Sequence, residues 1–98
     1  MSRDIFKGCL VRSRSGRDAH EIFFCIDEDE RFAYIADGKN RRVDRPKKKN
    51  KKHLALMNRT ADALVREEIS KAPDDIKIRK LIREYMKVLQ HSKEEADV

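Results

Sequence analysis

A run of basic residues in the middle of the chain is the part of the sequence that best fits a defined chemistry. Segment 39–53 contains nine lysines and arginines and one acid, Asp44, so it carries a charge of +8. The whole chain of 98 residues carries +6, so the other residues together carry −2. Concentrated positive charge is typical of proteins that bind polyanions, because each neutralised phosphate releases condensed counterions. The segment therefore predicts a nucleic-acid-binding surface.

Lysine and arginine would contact a nucleic acid differently. Lysine acts as a point charge toward phosphates, whereas the planar guanidinium of arginine makes forked contacts or stacks on bases. Pro46 restricts the backbone where the lysines begin. Arg14 and Arg17 would add contacts from an earlier turn, and His53 would stack or hydrogen-bond. The predicted binding residues are Arg14, Arg17, Lys39, Arg41, Arg42, Arg45, Lys47, Lys48, Lys49, Lys51, Lys52 and His53.

Other interpretations of the basic run stay open. It could be a solvated loop without a ligand, a nuclear localisation signal, or a segment that binds duplex DNA. If Lys47, Lys48 and Lys49 all contact phosphates, replacing the three by alanine should lower the salt dependence of binding by about two to three units of slope.

The first half of the chain, which must position these residues, has the pattern of a β-structure. Aromatic and β-branched residues alternate with turn signals such as Asp37-Gly38, which favours short strands in a small barrel or sandwich. The strands are predicted at 8–14, 20–27, 31–36, 40–44 and 53–57. Ile22, Phe24 and Ile26 share one face of the second strand. The alternative core set is Phe32, Tyr34 and Ala36 on the third strand, and the first set is favoured because it is more apolar.

The second half has helical spacing. Apolar residues predict a helix over 60–71, capped by Asn58 or Thr60 and ended at Pro73. Asp74 or Asp75 can cap a second helix. The apolar face of that helix is Ile78, Leu81, Ile82, Tyr85 and Leu89. Its basic residues are interpreted mainly as solvated, with phosphate contacts as an alternative.

The acidic run 27–30 is predicted at a hairpin tip. Consecutive acids lack the spacing of a calcium loop, so we expect them to project into solvent. They would repel a phosphate backbone. The tip and the lysine run are therefore expected at opposite poles of the domain.

Several kinds of site are not expected from this sequence. Cys9 and Cys25 form no CxxC pair, and the three histidines are scattered, so we expect buried, reduced thiols and no metal site. No phosphate-binding loop or nucleophile elbow is present, and we expect neither a cofactor nor an enzyme. The longest uncharged apolar run is 22–26, and the N-terminus lacks the apolar stretch of a secretory signal, so we expect a soluble cytoplasmic protein without membrane contact.

The order of several short segments resembles a known family. These segments are Val11-Arg12-Ser13-Arg14-Ser15-Gly16-Arg17-Asp18, Phe23-Phe24-Cys25-Ile26, Ile35-Ala36-Asp37-Gly38, Arg45-Pro46-Lys47-Lys48-Lys49, Lys52-His53-Leu54 and Ile78-Arg79-Lys80-Leu81-Ile82. Together they resemble the small bacterial KOW-domain RNA-binding proteins, which are similar to KOW-type large-subunit ribosomal proteins of archaea and eukaryotes. The family pattern has a basic residue and a glycine just beyond the first turn, where this chain has Ala19-His20.

The resemblance implies an α+β fold, in which a small SH3-like β-barrel of the KOW type is followed by two C-terminal helices. The domains expected are the barrel at 1–57 with a basic loop at 39–53, a helical extension at 58–91 and a frayed tail at 92–98. It also implies a non-catalytic protein that binds structured RNA, ribosomal RNA in particular, in translation or ribosome assembly. Ribosomal proteins are further expected partners, and a monomer is favoured.

The alternative function is a protein-interaction module. SH3-like barrels also bind proteins, and fold alone does not settle function. In this interpretation the barrel or the amphipathic helices dock on a ribosomal protein or on RNA polymerase.

Overall fold

A five-stranded antiparallel sheet with one helix against it makes up the fold of the described residues. The structure is a computed structural model, and it describes residues 6–57, 68–69 and 71–96. The strands are β1 (Leu10–Ser13), β2 (Ile22–Glu28), β3 (Phe32–Ala36), β4 (Lys47–Asn50) and β5 (Leu54–Leu56). A 3-10 turn, Lys51–His53, joins β4 to β5, and the helix α1 is Asp75–Ala96. The strand order is β4-β3-β2-β1-β5, so β4 and β5 are the two edges.

The predicted SH3-like barrel followed by two helices is wrong. The sheet is open, because β4 pairs with β3 and β5 pairs with β1, and the two edge strands do not pair with each other. The inner side of β4 carries Lys47 and Lys49, so this edge strand adds charged side chains to the interior. Among the described residues α1 is the one continuous helix, and residues 68, 69 and 71 also have helical conformation. The helix predicted at 60–71 lies almost entirely outside the described residues.

The sheet is nevertheless strongly curled. Five strands in a flat sheet would place the outer two about 19 Å apart. Here a 3-10 turn of three residues joins them, and such a turn spans about 6 Å. Asn50 caps this turn by accepting a hydrogen bond from the backbone N of Lys52 at 3.0 Å. The two edges of the sheet therefore approach each other at this turn.

The fourth strand forms where the sequence predicts a basic loop. The strand predicted at 40–44 is wrong, since residues 43–45 lie in a turn, and β4 consists of the residues Lys-Lys-Lys-Asn at 47–50. The other four strands overlap their predicted ranges. Lysine has a low intrinsic preference for strands, so pairing with β3 must stabilise this edge.

The sheet is buried on both faces. One face encloses a cluster of Val11, Phe23, Cys25, Ala33, Ile35 and Leu54. The other face, with Leu10, Phe24 and Ala36, packs against Ile78 of α1 and against Ile69. The predicted core set therefore describes only the helix-covered face: Phe24 is fully buried, and Ile22 and Ile26 are half-buried. The second face is buried because the sheet curls around it. The alternation of residues within a single strand does not indicate that both faces of the sheet are buried.

The N-terminus of α1 is tied to the loop that precedes β4. Asp74 caps the helix, because its Oδ1 accepts hydrogen bonds from the backbone N of Ile76 and of Lys77. Asp75 instead accepts a hydrogen bond from the backbone N of Val43 at 2.8 Å. Gly38, with a φ of 77°, lies so close that a Cβ there would overlap the carbonyl of Asp75.

The predicted apolar face of α1 is confirmed at four positions. Ile78 is buried, and Leu81, Ile82 and Tyr85 are half-buried against the sheet. Leu89 lies outside the side chains that the structure describes. The helix continues to Ala96, through most of the segment expected to be a frayed tail.

Candidate nucleic-acid interface

The lysines of β4 alternate between the two faces of the sheet. Lys47 pairs with Ile35 and Lys49 with Ala33, and both partners belong to the enclosed cluster. Cross-strand partners point to the same side, so these two lysines face inward. Lys48 faces outward, with its Nζ 4.3 Å from the centre of the Phe32 ring. Because side chains alternate along a strand, the lysines of this run point to two different faces of the sheet.

The two inward lysines share one buried carboxylate. Asp18, in the turn between β1 and β2, has Oδ2 at 2.6 Å from Lys47 Nζ and Oδ1 at 2.7 Å from Lys49 Nζ. The hydroxyl of Ser13 also donates to Oδ1 at 2.7 Å, and Lys49 Nζ donates to the carbonyl of Ser15. These contacts attach the β1–β2 turn to the edge strand β4.

The protonation of Asp18 follows from these contacts. Burial by itself raises the pKa of this carboxyl group, but hydrogen bonds from Lys47, Lys49 and Ser13 outweigh it and hold the pKa far below its ordinary value. Asp18 is therefore ionised at neutral pH. Its single negative charge faces two ammonium groups.

A third lysine is also paired with a buried acid. Lys51 Nζ lies 2.6 Å from Oε2 of Glu28, whose side chain is 1% exposed. The other oxygen of Glu28 accepts hydrogen bonds from the backbone N of Phe6 and of Lys7. The expectation that every acid of the run 27–30 projects into solvent is wrong for Glu28.

The expected separation of the acidic tip from the lysine run is also wrong. β4 runs antiparallel to β3, so Asn50 lies opposite Phe32, next to the acidic turn. The backbone N of Lys51 donates to the carbonyl of Arg31 within that turn. The two segments are far apart in the sequence, but strand pairing brings them close together in space. Their separation along the chain therefore does not predict the distance between them.

The β1–β2 turn contains a strained position. His20 has a φ of 75°, a conformation that glycine adopts readily and other residues rarely do. Its backbone N donates to the carbonyl of Ser13 at 2.7 Å, which closes the turn. This is the place where the KOW pattern has its glycine.

The predicted residues separate into two exposed groups. One group lies beside β4 and the turn that follows it, and consists of Arg14, Arg17, Lys48 and Lys52. The backbone N–H of Arg14 donates a hydrogen bond to the carbonyl of His53 at 2.7 Å, and Arg17 lies in the β1–β2 turn. His53 itself is half-buried. The other group occupies the 37–46 connection and consists of Lys39, Arg41, Arg42 and Arg45, all exposed.

The second group is held by two aspartates. Asp37 Oδ1 accepts hydrogen bonds from the backbone N of Lys39 and of Arg41, both at 2.8 Å. Arg42 Nε lies 3.3 Å from Asp75 Oδ2, although the Arg42 side chain is 69% exposed. An ion pair this exposed contributes little to stability, so Arg42 stays accessible to a ligand.

Eight of the twelve predicted residues are exposed, and their composition differs from that of the twelve as a whole. Five are arginines and three are lysines, whereas the three residues paired with buried acids are all lysines. The exposed surface is therefore rich in arginine, which is suited to forked phosphate contacts and to stacking on bases.

This chain matches no protein-family model and no curated protein sequence. The KOW resemblance therefore stays a prediction.

Other kinds of site have little support in the described part of the chain. No group of three or more histidine, cysteine or acidic side chains there could hold a metal ion. The prediction that both cysteines are buried is confirmed. Burial, reinforced by Glu28, raises the pKa of the Cys25 thiol to about 12, so this thiol is protonated at neutral pH. Within the described residues, no helix is both long and apolar enough to cross a bilayer.

Basic residues of α1, interpreted from the sequence mainly as solvated, take part in a groove that the sequence did not predict. Arg79, Lys80, Arg83 and Lys87 of α1 line this groove together with Lys39. Arg79, Arg83 and Lys87 recur every four residues, so their common face on the helix was the available signal. The approach of α1 to the 37–46 connection adds Lys39 to this set.

Proposed function

We propose that the protein binds structured RNA through its two exposed basic groups and catalyses no reaction. The observation that carries this proposal is the set of eight exposed arginines and lysines that remain after the lysines paired with Asp18 and Glu28 are set aside. Eight cations could neutralise several phosphates at once, and each contact adds to affinity through counterion release.

The arginine content favours RNA over duplex DNA. Structured RNA presents unstacked bases in loops and bulges, and the guanidinium plane can stack on them. Apart from Lys48, which is exposed on β4, both basic groups lie in turns and connections of the sheet, outside its buried faces. Ribosomal RNA, a role in translation or ribosome assembly, and a cytoplasmic location belong to the same proposal through the KOW resemblance.

Competition between nucleic acids tests the ligand class. Binding of a fluorescent RNA stem-loop is measured by anisotropy against unlabelled RNA and against duplex DNA of equal length, at one ionic strength. We expect RNA to compete at least tenfold better. Equal competition by the DNA would contradict the proposal.

A substitution pair tests the surface. Replacing Arg41 and Arg45 by alanine should lower the slope of log affinity against log salt by about 1.5 units. Lys77→Ala is the control, because Lys77 is exposed on α1 and lies 3.3 Å from Glu68, outside both basic groups. A slope that stays unchanged in the arginine variant would remove the 37–46 connection from the interface.

Crosslinking in cells, followed by sequencing of the bound RNA, identifies the target. Enrichment at one site in ribosomal RNA is expected. Recovery of messenger RNA without ribosomal RNA would contradict the ribosomal part of the proposal and leave the RNA-binding part standing.

A further inference from the structure

A groove runs between α1 and the loops at one end of the sheet. Its volume is about 910 Å³, and its walls are α1, the end of the β1–β2 turn at His20 and Glu21, and the 37–39 segment. Of the two basic groups in the proposed RNA surface, only Lys39 lines this groove. The groove therefore needs its own explanation.

Two exposed apolar side chains lie along the groove. Ile76 is 67% exposed and Met86 is 50% exposed, although both belong to the helix that packs Ile78 on the sheet. Ten residues separate them, which is about 15 Å along a helix axis. A single partner that lies along the groove could cover both apolar side chains.

Basic side chains lie between these apolar positions. Arg79 and Arg83 follow Ile76 at three and seven residues, so they share its side of α1. Lys80 and Lys87 also line the groove. An occupant must therefore combine negative charge with apolar groups about 15 Å apart.

A protein segment fits this combination better than RNA does. Three acids, Glu21, Asp37 and Glu84, also line the groove. Their carboxylates would repel a continuous phosphate backbone, whereas a protein helix can direct its carboxylates toward the arginines and away from these acids. The side chains of Ile76 and Met86 are apolar and cannot donate a hydrogen bond to a phosphate. An amphipathic helix can place carboxylates and aliphatic side chains at matching intervals.

We infer that this groove binds an acidic amphipathic helical segment of a partner protein. Its apolar side chains pack on Ile76 and Met86, and its carboxylates pair with Arg79 and Arg83. The groove is largely preformed, because Asp75 ties the start of α1 to the 37–46 connection and Gly38 permits their close approach. Preformed walls lower the ordering cost of binding. This inference goes beyond RNA binding and does not depend on it.

The probe for this inference is a synthetic helical peptide of 18 residues with leucines on one face and glutamates beside them. A second peptide has the same composition with its leucines distributed around the helix. Binding of each peptide to the full chain is measured by fluorescence anisotropy. We expect the amphipathic peptide to bind at least tenfold tighter than the shuffled one. Equal binding would show attraction by charge alone and would overturn the inference.

Two variants locate the site. Ile76→Ser combined with Met86→Ser should weaken peptide binding at least tenfold, and so should Arg83→Glu. Lys77→Glu is the charge-matched control and should bind as the unmodified chain does, because Lys77 does not line the groove. The thermal unfolding midpoint of each variant is measured, and these exposed positions should leave it within a few degrees.

The RNA stem-loop separates this site from the RNA surface. RNA binding should persist in the Ile76/Met86 variant, and the peptide should not displace bound RNA from the unmodified chain. If Arg83→Glu abolishes RNA binding and leaves peptide binding unchanged, the groove belongs to the RNA surface and the inference is overturned.

Discussion

Lys49 Nζ lies 2.7 Å from Oδ1 of Asp18, and both side chains are 10% exposed. The contact joins the turn between the first two strands to the far edge strand β4. It also turns one lysine of a seemingly continuous basic run into part of the protein interior. Lys47, two residues earlier, shares the same carboxylate.

Removing the charge of Asp18 should destabilise the fold strongly. Asp18→Asn leaves two ammonium groups without their counterion, and breaking a buried ion pair on one side costs about 3 kcal/mol or more. Urea unfolding monitored by circular dichroism measures the change. Asp44→Asn, at an exposed acid in the same half of the chain, is the control and should change the free energy of unfolding by less than about 0.5 kcal/mol. Similar losses in the two variants would show that Asp18 has no special role.

The stability should depend on pH through Asp18. Because the pKa of this group is lowered by folding, its contribution is fully present above the unfolded value of about 4 and is lost as the pH falls below it. The free energy of unfolding should therefore drop between pH 5 and pH 3 more steeply in the unmodified chain than in Asp18→Asn. Parallel pH profiles for the two proteins would contradict this assignment.

Neighbouring lysines of β4 should behave oppositely. Lys48→Ala should lower the salt slope of RNA binding by about 0.7–0.9 and barely affect stability, because Lys48 is exposed. Lys49→Ala should leave the slope unchanged and destabilise the fold, because Lys49 is paired with Asp18. Replacing Lys47, Lys48 and Lys49 together should then change the slope by about one unit, less than the sequence alone suggests. A loss of two to three units would show that the inward lysines also reach RNA.

Relieving the backbone strain at His20 should stabilise the protein. The left-handed conformation costs a residue with a side chain about 1–2 kcal/mol, and part of this gain is offset by the greater chain entropy of glycine in the unfolded state. His20→Gly should therefore raise the free energy of unfolding by about 0.5–1 kcal/mol. Ala19→Gly, at the adjacent position, serves as the control and should lower it. The opposite order would contradict the strain argument.

Local patterns predicted much of the secondary structure. β1, β2, β3 and β5 fall within their predicted ranges or within a residue of them, and Asp74 caps α1. These features depend on side-chain periodicity and on short-range hydrogen bonds, which the sequence contains directly. β4 was not predicted because three lysines have little preference for a strand, and its formation depends on partners 12 to 18 residues earlier in the chain.

In the candidate site, too, the sequence predicted local features and missed contacts between distant residues. The sequence indicates where basic residues are concentrated, and eight of the twelve predicted binding residues are exposed in the structure. It does not indicate that Lys51 meets Glu28, since these residues are 23 positions apart. Nor does it indicate the helical groove, because Lys39 joins Arg83 there only after α1 has docked.

By itself the sequence determined the concentration of positive charge, the β-rich first half, the amphipathic stripe of α1 and the absence of a long apolar segment. These are properties of composition and of spacing over a few residues. The tertiary structure alone decided that the sheet stays open and which lysines face inward. Register has a period of two residues, so pairing β4 with β3 in one alignment sends Lys47 and Lys49 to Asp18 and leaves Lys48 exposed.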